Sequence, residues 1–157
     1  MPTTRRRVRR IVSTETLGVM AMLMTPDQQI LVFAFLLIQP ERPLSDLDSA
    51  RALGRLGWLW RAEAVVTGLG IIILAWGLSR SLTRGKRVRL AATTMFVGGL
   101  AVLGTGVFPT DPPLGDGTVG YTMSGVLHFV FGLLGFLGLL VVVFVLKVVF
   151  KRDPRWT

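Results

Sequence analysis

Twenty-one consecutive residues, Val126 to Leu146 (VLHFVFGLLGFLGLLVVVFVL), contain no Asp, Glu, Lys or Arg, and 17 of them are Val, Leu or Phe. A helix needs about 20 apolar residues to cross a ~30 Å hydrocarbon layer. At about −0.3 to −0.6 kcal/mol per residue of this type, insertion is favourable by several kcal/mol even with the glycines and His128 counted against it. Two further runs behave alike. Val88 to Phe108 is closed by Pro109, and Trp58 to Ser79 carries Arg61 and Glu63 near its start. Trp58, Trp60 and Trp76 sit where interfacial aromatics belong. The bilayer is therefore the solvent this chain is built for.

A fourth candidate, Leu17 to Gln39, has TPDQQ in its middle, and its clean part, Ile30 to Ile38, is only about 14 Å of helix. Charge placement argues that it spans nonetheless. The chain carries a net charge of +9, and Lys and Arg gather in three places. These are Arg5 to Arg10, then Arg80, Arg84, Lys86, Arg87 and Arg89, then Lys147, Lys151, Arg152 and Arg155. Residues 109–123 have no basic residue, and Arg42, Arg51 and Arg55 are offset by Glu41, Asp46 and Asp48. Four spans put all three clusters on the cytoplasmic side, as the positive-inside rule expects, whereas three would leave the N-terminal arginines outside.

The expected fold is thus all-α, a polytopic bundle of four membrane helices with both termini cytoplasmic. The spans fall near 17–39, 58–79, 88–108 and 126–146, in one transmembrane domain between basic tails at 1–16 and 147–157. The expected location is the plasma or inner membrane. Basic residues that bracket membrane spans leave nucleic acid as the weaker reading of the charge. They suit the lipid bilayer instead. The chain has no cysteine and one histidine, which excludes disulfides, thiolate sites and multi-histidine metal centres. No phosphate-binding loop or nucleophile elbow is present, and no cofactor is called for.

Chemistry-bearing residues concentrate beside the segment GVFPTD, Gly106 to Asp111. Proline has no N–H and disfavours helix in the residue before it, so Pro109 ends the third helix after Phe108. Thr110 and Asp111 can bond freed backbone groups, and Thr122 or Ser124 can cap the fourth helix. On that helix Gly125, His128, Gly132, Gly135 and Leu139 share one stripe, which should face another helix. Glu63, Thr67, Gly70 and Gly77 share a face of the second helix, and Gly98, Val102 and Gly106 a face of the third. Glu63, Asp111 and His128 then lie in the outer half, an expected polar cluster. Ionisable groups inside a membrane tend to be paired and functional, but a structural tie between helices explains the same residues.

Leu44-Ser45-Asp46-Leu47, the glycine-rich second helix, the basic inner loop, GVFPTD and the following histidine together resemble the domain of unknown function 998 family of prokaryotic integral membrane proteins. The resemblance runs from about Arg42 to the C-terminus and rests on Ser45, Asp46, Gly106, Phe108, Pro109, Asp111 and His128. It implies about six helices in a full member, with KRDPRWT leading into the fifth, so this chain corresponds to the front part of such a protein. The glycine faces and the two absent helices imply self-association or a partner membrane subunit. With no complete catalytic set in view, the expected role is non-catalytic lipid or partner binding. The alternative is a small transporter or membrane-embedded enzyme using the outer carboxylates and His128.

The topology is directly testable in a cysteine-free chain. Cysteines placed at Ser81 and at Gly117 should react from opposite sides, with Gly117 labelled by an impermeant reagent in intact cells. Equal labelling of both positions rules out the arrangement.

Overall fold

The computed structural model describes residues 12–24, 37, 53, 55–82, 85–112 and 121–151. All regular structure in them is helical: α1 (Thr14–Met24), α2 (Gly57–Ser81), α3 (Lys86–Val107) and α4 (Met123–Phe150). At ~1.5 Å per residue the 22 to 28 residues of α2, α3 and α4 measure about 33 to 42 Å. Each is long and apolar enough to cross a membrane. Helix α1 has 11 residues and starts three positions before the expected span. Residues 25–36, 38 and 39 of that expected span lie outside the described residues.

The helix ends follow from local chemistry. Ser13 opens α1, its Oγ accepting the Thr16 amide at 3.0 Å. Helix α3 closes at Val107 with an extended Phe108 next to Pro109, where proline was expected to stop it. Thr122 caps α4 by accepting the Gly125 amide at 3.1 Å.

Among the described residues the helices pack in chain order, α1 on α2, α2 on α3 and α3 on α4. Helix α3 is central, with 39% of its most apolar window buried against 11% for α4. Small residues allow that centrality. A Cβ on Gly68 of α2 would lie 2.6 Å from the Leu103 amide nitrogen and 2.7 Å from the Gly99 carbonyl oxygen of α3. Backbone meets backbone there, and only the absence of a side chain permits it. The stripe expected on the fourth helix does face a neighbour: Gly132 meets Thr105, Gly135 meets Val102 and Leu139 lies over Gly98 of α3, with Gly138 beside the stripe also against Gly98. On α2 the contact with α3 is made by Gly68, while Gly77 of the expected face meets Leu17 of α1.

The two ends of the molecule differ in kind. Leu82, Val88 and Val149 form a buried cluster, with Leu78, Leu146 and Phe150 against it, which brings the α2–α3 turn to the end of α4. Lys86, Arg87, Arg89, Lys147 and Lys151 therefore share one end. Arg80 joins them, stacked over Trp76 at 4.3 Å and donating to the Val12 carbonyl at 3.3 Å. The opposite end holds Arg61, Pro109, Asp111 and His128.

If the Gly68–Gly99 crossing sets the α2–α3 distance, Gly68→Val should cost about 3 kcal/mol, the upper end of overpacking penalties. Gly132→Ala, whose Cβ would meet only the Thr105 methyl at 3.8 Å, should change stability by less than roughly 0.5 kcal/mol. Thermal midpoints in mild detergent compare the two, and equal losses would contradict the crossing.

Candidate functional site

The end of α3 is a backbone problem with a side-chain solution. A helix leaves its last four carbonyls without intrahelical donors. The Phe108 amide serves Gly104 at 3.0 Å. The next amide would serve Thr105, but residue 109 is proline and has none. An orphaned carbonyl in hydrocarbon costs several kcal/mol, so donors must come from elsewhere.

They come from both flanking helices. From α4, His128 Nδ1 lies 3.1 Å from the Thr105 carbonyl oxygen and 2.8 Å from that of Phe108. A carbonyl only accepts, so Nδ1 carries a proton and donates to both. From α2, Arg61 Nε donates to the Gly106 carbonyl at 3.0 Å and Nη2 to that of Val107 at 3.1 Å. A guanidinium fork suits two adjacent acceptors, and a cation is favoured at a helix C-terminus. Ser124 Oγ donates to the Pro109 carbonyl at 2.9 Å. Five consecutive carbonyls, from Thr105 to Pro109, are thus served by three side chains from other elements.

Asp111 completes the knot in the other direction. Its Oδ2 accepts the Thr122 amide at 3.0 Å, and its Oδ1 accepts the Thr122 hydroxyl at 2.5 Å. The carboxylate rests on the first turn of α4, where an anion is favoured. A Cβ at Gly125 would run into this carboxylate, so the close seat requires glycine. On the apolar side Phe108 stacks on Phe131, ring centroids 5.6 Å apart, and that Phe131 ring occupies the space a Cβ on Gly104 would take.

The residues singled out from sequence are distributed as follows. Gly106, Phe108, Pro109, Asp111 and His128 all belong to this knot, and Gly106 lets α3 approach the Arg61 backbone of α2. Asp111 and His128 act on the same turn but bond to different partners. Glu63 accepts the Thr67 hydroxyl at 2.7 Å within its own helix. Ser45 and Asp46 lie outside the described residues. Ser124, considered as a cap, instead serves Pro109. The main omission is Arg61, which in the sequence reads as a charge near the start of a span. The missing proline amide, set against a neighbouring cation, was the available clue. Among the described residues no three His, Asp or Glu side chains come together as ligands to one metal would.

Three long apolar helices joined by a polar knot at one end and a basic end opposite define a polytopic helical membrane protein. The chain belongs to the family described as "Protein of unknown function (DUF998)", whose model matches residues 30–157. No curated protein and no solved structure matches it.

The knot predicts a coupling between two residues that do not touch through their side chains. His128→Ala should cost about 1–3 kcal/mol by stranding part-buried carbonyls that lipid cannot satisfy. Pro109→Ala restores an amide that can reach Thr105, so the cost of His128→Ala should shrink in that background. Equilibrium unfolding of both single variants and the double variant gives the coupling. Additivity within about 0.5 kcal/mol would show that His128 does not stand in for the missing amide.

Proposed function

We propose that this chain is a non-catalytic multi-pass protein of the plasma or inner membrane that binds lipid or a partner subunit through its exposed apolar faces. In this reading the basic end lies on the cytoplasmic side with both termini, and the polar knot faces out. One observation carries it. The polar side chains of the knot spend their hydrogen bonds on backbone carbonyls and on the cap of α4. Groups so committed hold helices together. A reaction centre needs donors and acceptors kept for a substrate.

The surface left for partners supports the same reading. Because the helices pack in chain order, α4 buries one stripe against α3 and leaves others bare. Val126, Phe129, Leu133, Phe136, Leu140 and Val143 are all exposed, Phe129 and Phe136 by more than two thirds. They recur at alternating three- and four-residue spacing, the pattern that packs against another helix or against acyl chains. The glycine stripes are largely consumed inside the chain, so self-association would use this bulky face.

The alternative of a transporter or enzyme using Glu63, Asp111 and His128 makes a different prediction for the same variants. In a strain that shows a phenotype on deletion, complementation by Glu63→Ala, Asp111→Ala and His128→Ala should fall in step with the amount of folded protein in the membrane. A His128→Ala protein that keeps its abundance and melting midpoint yet fails to complement would overturn the non-catalytic reading.

A further inference from the structure

The Gly68–Gly99 and Gly106–Arg61 contacts draw α2 and α3 together towards the knot. Towards the basic end the same two helices leave a groove of about 850 Å³. Ile72, Ile73 and Trp76 from α2 and Phe96 from α3 form its walls, and Lys86 and Arg89 stand at its mouth. Both cations are exposed, as a headgroup site requires. From Lys86 to Phe96 is ten residues of helix, about 15 Å, which is half of a ~30 Å hydrocarbon core and so one leaflet deep.

We infer that this groove holds one anionic phospholipid of the leaflet at the basic end, its phosphate between Lys86 and Arg89 and an acyl chain along Trp76 and Phe96. Charge and depth select this occupant together. A free phosphate would use the two cations and leave the apolar walls unexplained. A helix of a second copy would run the full thickness of the membrane, but the groove ends where Gly68 meets Gly99. It would also place apolar side chains against two exposed cations. One wall is preorganised: Arg80 stacks on the Trp76 ring and is itself held by the Val12 carbonyl, which adds a third positive charge behind the ring. Basic pockets between membrane helices are where acidic headgroups bind.

The inference rests on the proposal that exposed faces of this chain carry lipid, and names one lipid class for one face. The full chain is reconstituted in phosphatidylcholine nanodiscs with a minor fraction of either brominated phosphatidylglycerol or brominated phosphatidylcholine. The Trp76 share of fluorescence is taken by difference from Trp76→Phe. Brominated phosphatidylglycerol should quench it roughly tenfold more effectively at equal mole fraction. Lys86→Gln with Arg89→Gln should abolish the preference, whereas Arg87→Gln, which is exposed but does not line the groove, should keep it. Native mass spectrometry of the purified protein, which needs no tryptophan variant, should show one retained phosphatidylglycerol that the double variant loses.

Equal quenching by both lipids overturns the site, as does equal loss in Arg87→Gln, which would mean diffuse attraction. Displacement of the lipid by millimolar inorganic phosphate would assign the cations to a free anion. Efficient disulfide formation between copies carrying Ile73→Cys would assign the groove to a second copy. Any of these removes the lipid site alone; the non-catalytic reading falls only if complementation parts from folding.

Discussion

A backbone carbonyl cannot be left unpaired in hydrocarbon, and this structure turns on that constraint at one residue. Pro109 ends α3 and also withholds the amide that Thr105 would have used. The acceptors so exposed recruit His128 from α4 and Arg61 from α2. Interhelical hydrogen bonds in membranes average only about 0.6 kcal/mol, so no single one of these holds the protein together. Their weight lies in the alternative, since each unmade bond would leave a group that neither lipid nor water satisfies. The knot therefore fixes which helices adjoin α3 at this end and at what height.

Packing in chain order is the second consequence. Hydrophobic association does not drive helices together in lipid, so close approach through small residues must. Gly68 against Gly99, Gly106 against the Arg61 backbone, and Gly98 against Gly138 and Leu139 supply it, each contact having one side on α3. With α3 taking both neighbours, α4 keeps a full apolar face, and the space between α2 and α3 near the basic end stays open. The two surfaces available to other molecules thus follow from where the small residues are placed.

Much of this was legible in the sequence, for physical reasons that differ by residue. A proline stop and a threonine cap are local chemistry, so the ends of α3 and α4 could be read directly. The Gly125–His128–Gly132–Gly135 stripe was legible because small residues stand out on a helix otherwise filled with Val, Leu and Phe. Which glycine of α2 meets which helix was not. With Gly68, Gly70 and Gly77 all present on a helix apolar all round, periodicity could not say which glycine meets which neighbour. Arg61 was hidden because its partners are main-chain atoms forty-five positions away, and backbone acceptors leave no mark in a sequence. The seat of Asp111 was legible in part: it was expected to bond freed backbone groups, and it does so at the start of α4, where the amide and hydroxyl of Thr122 offer it two donors at once.

The clasp of Asp111 on Thr122 has a practical consequence for the chain between them. Asp111 and Thr122, eleven positions apart, are joined by a pair of hydrogen bonds to one carboxylate. Lengthening a closed loop costs only about 0.6 kcal/mol per doubling. What fixes the start of α4 against the end of α3 is therefore the clasp itself, and not the number of residues between its two halves.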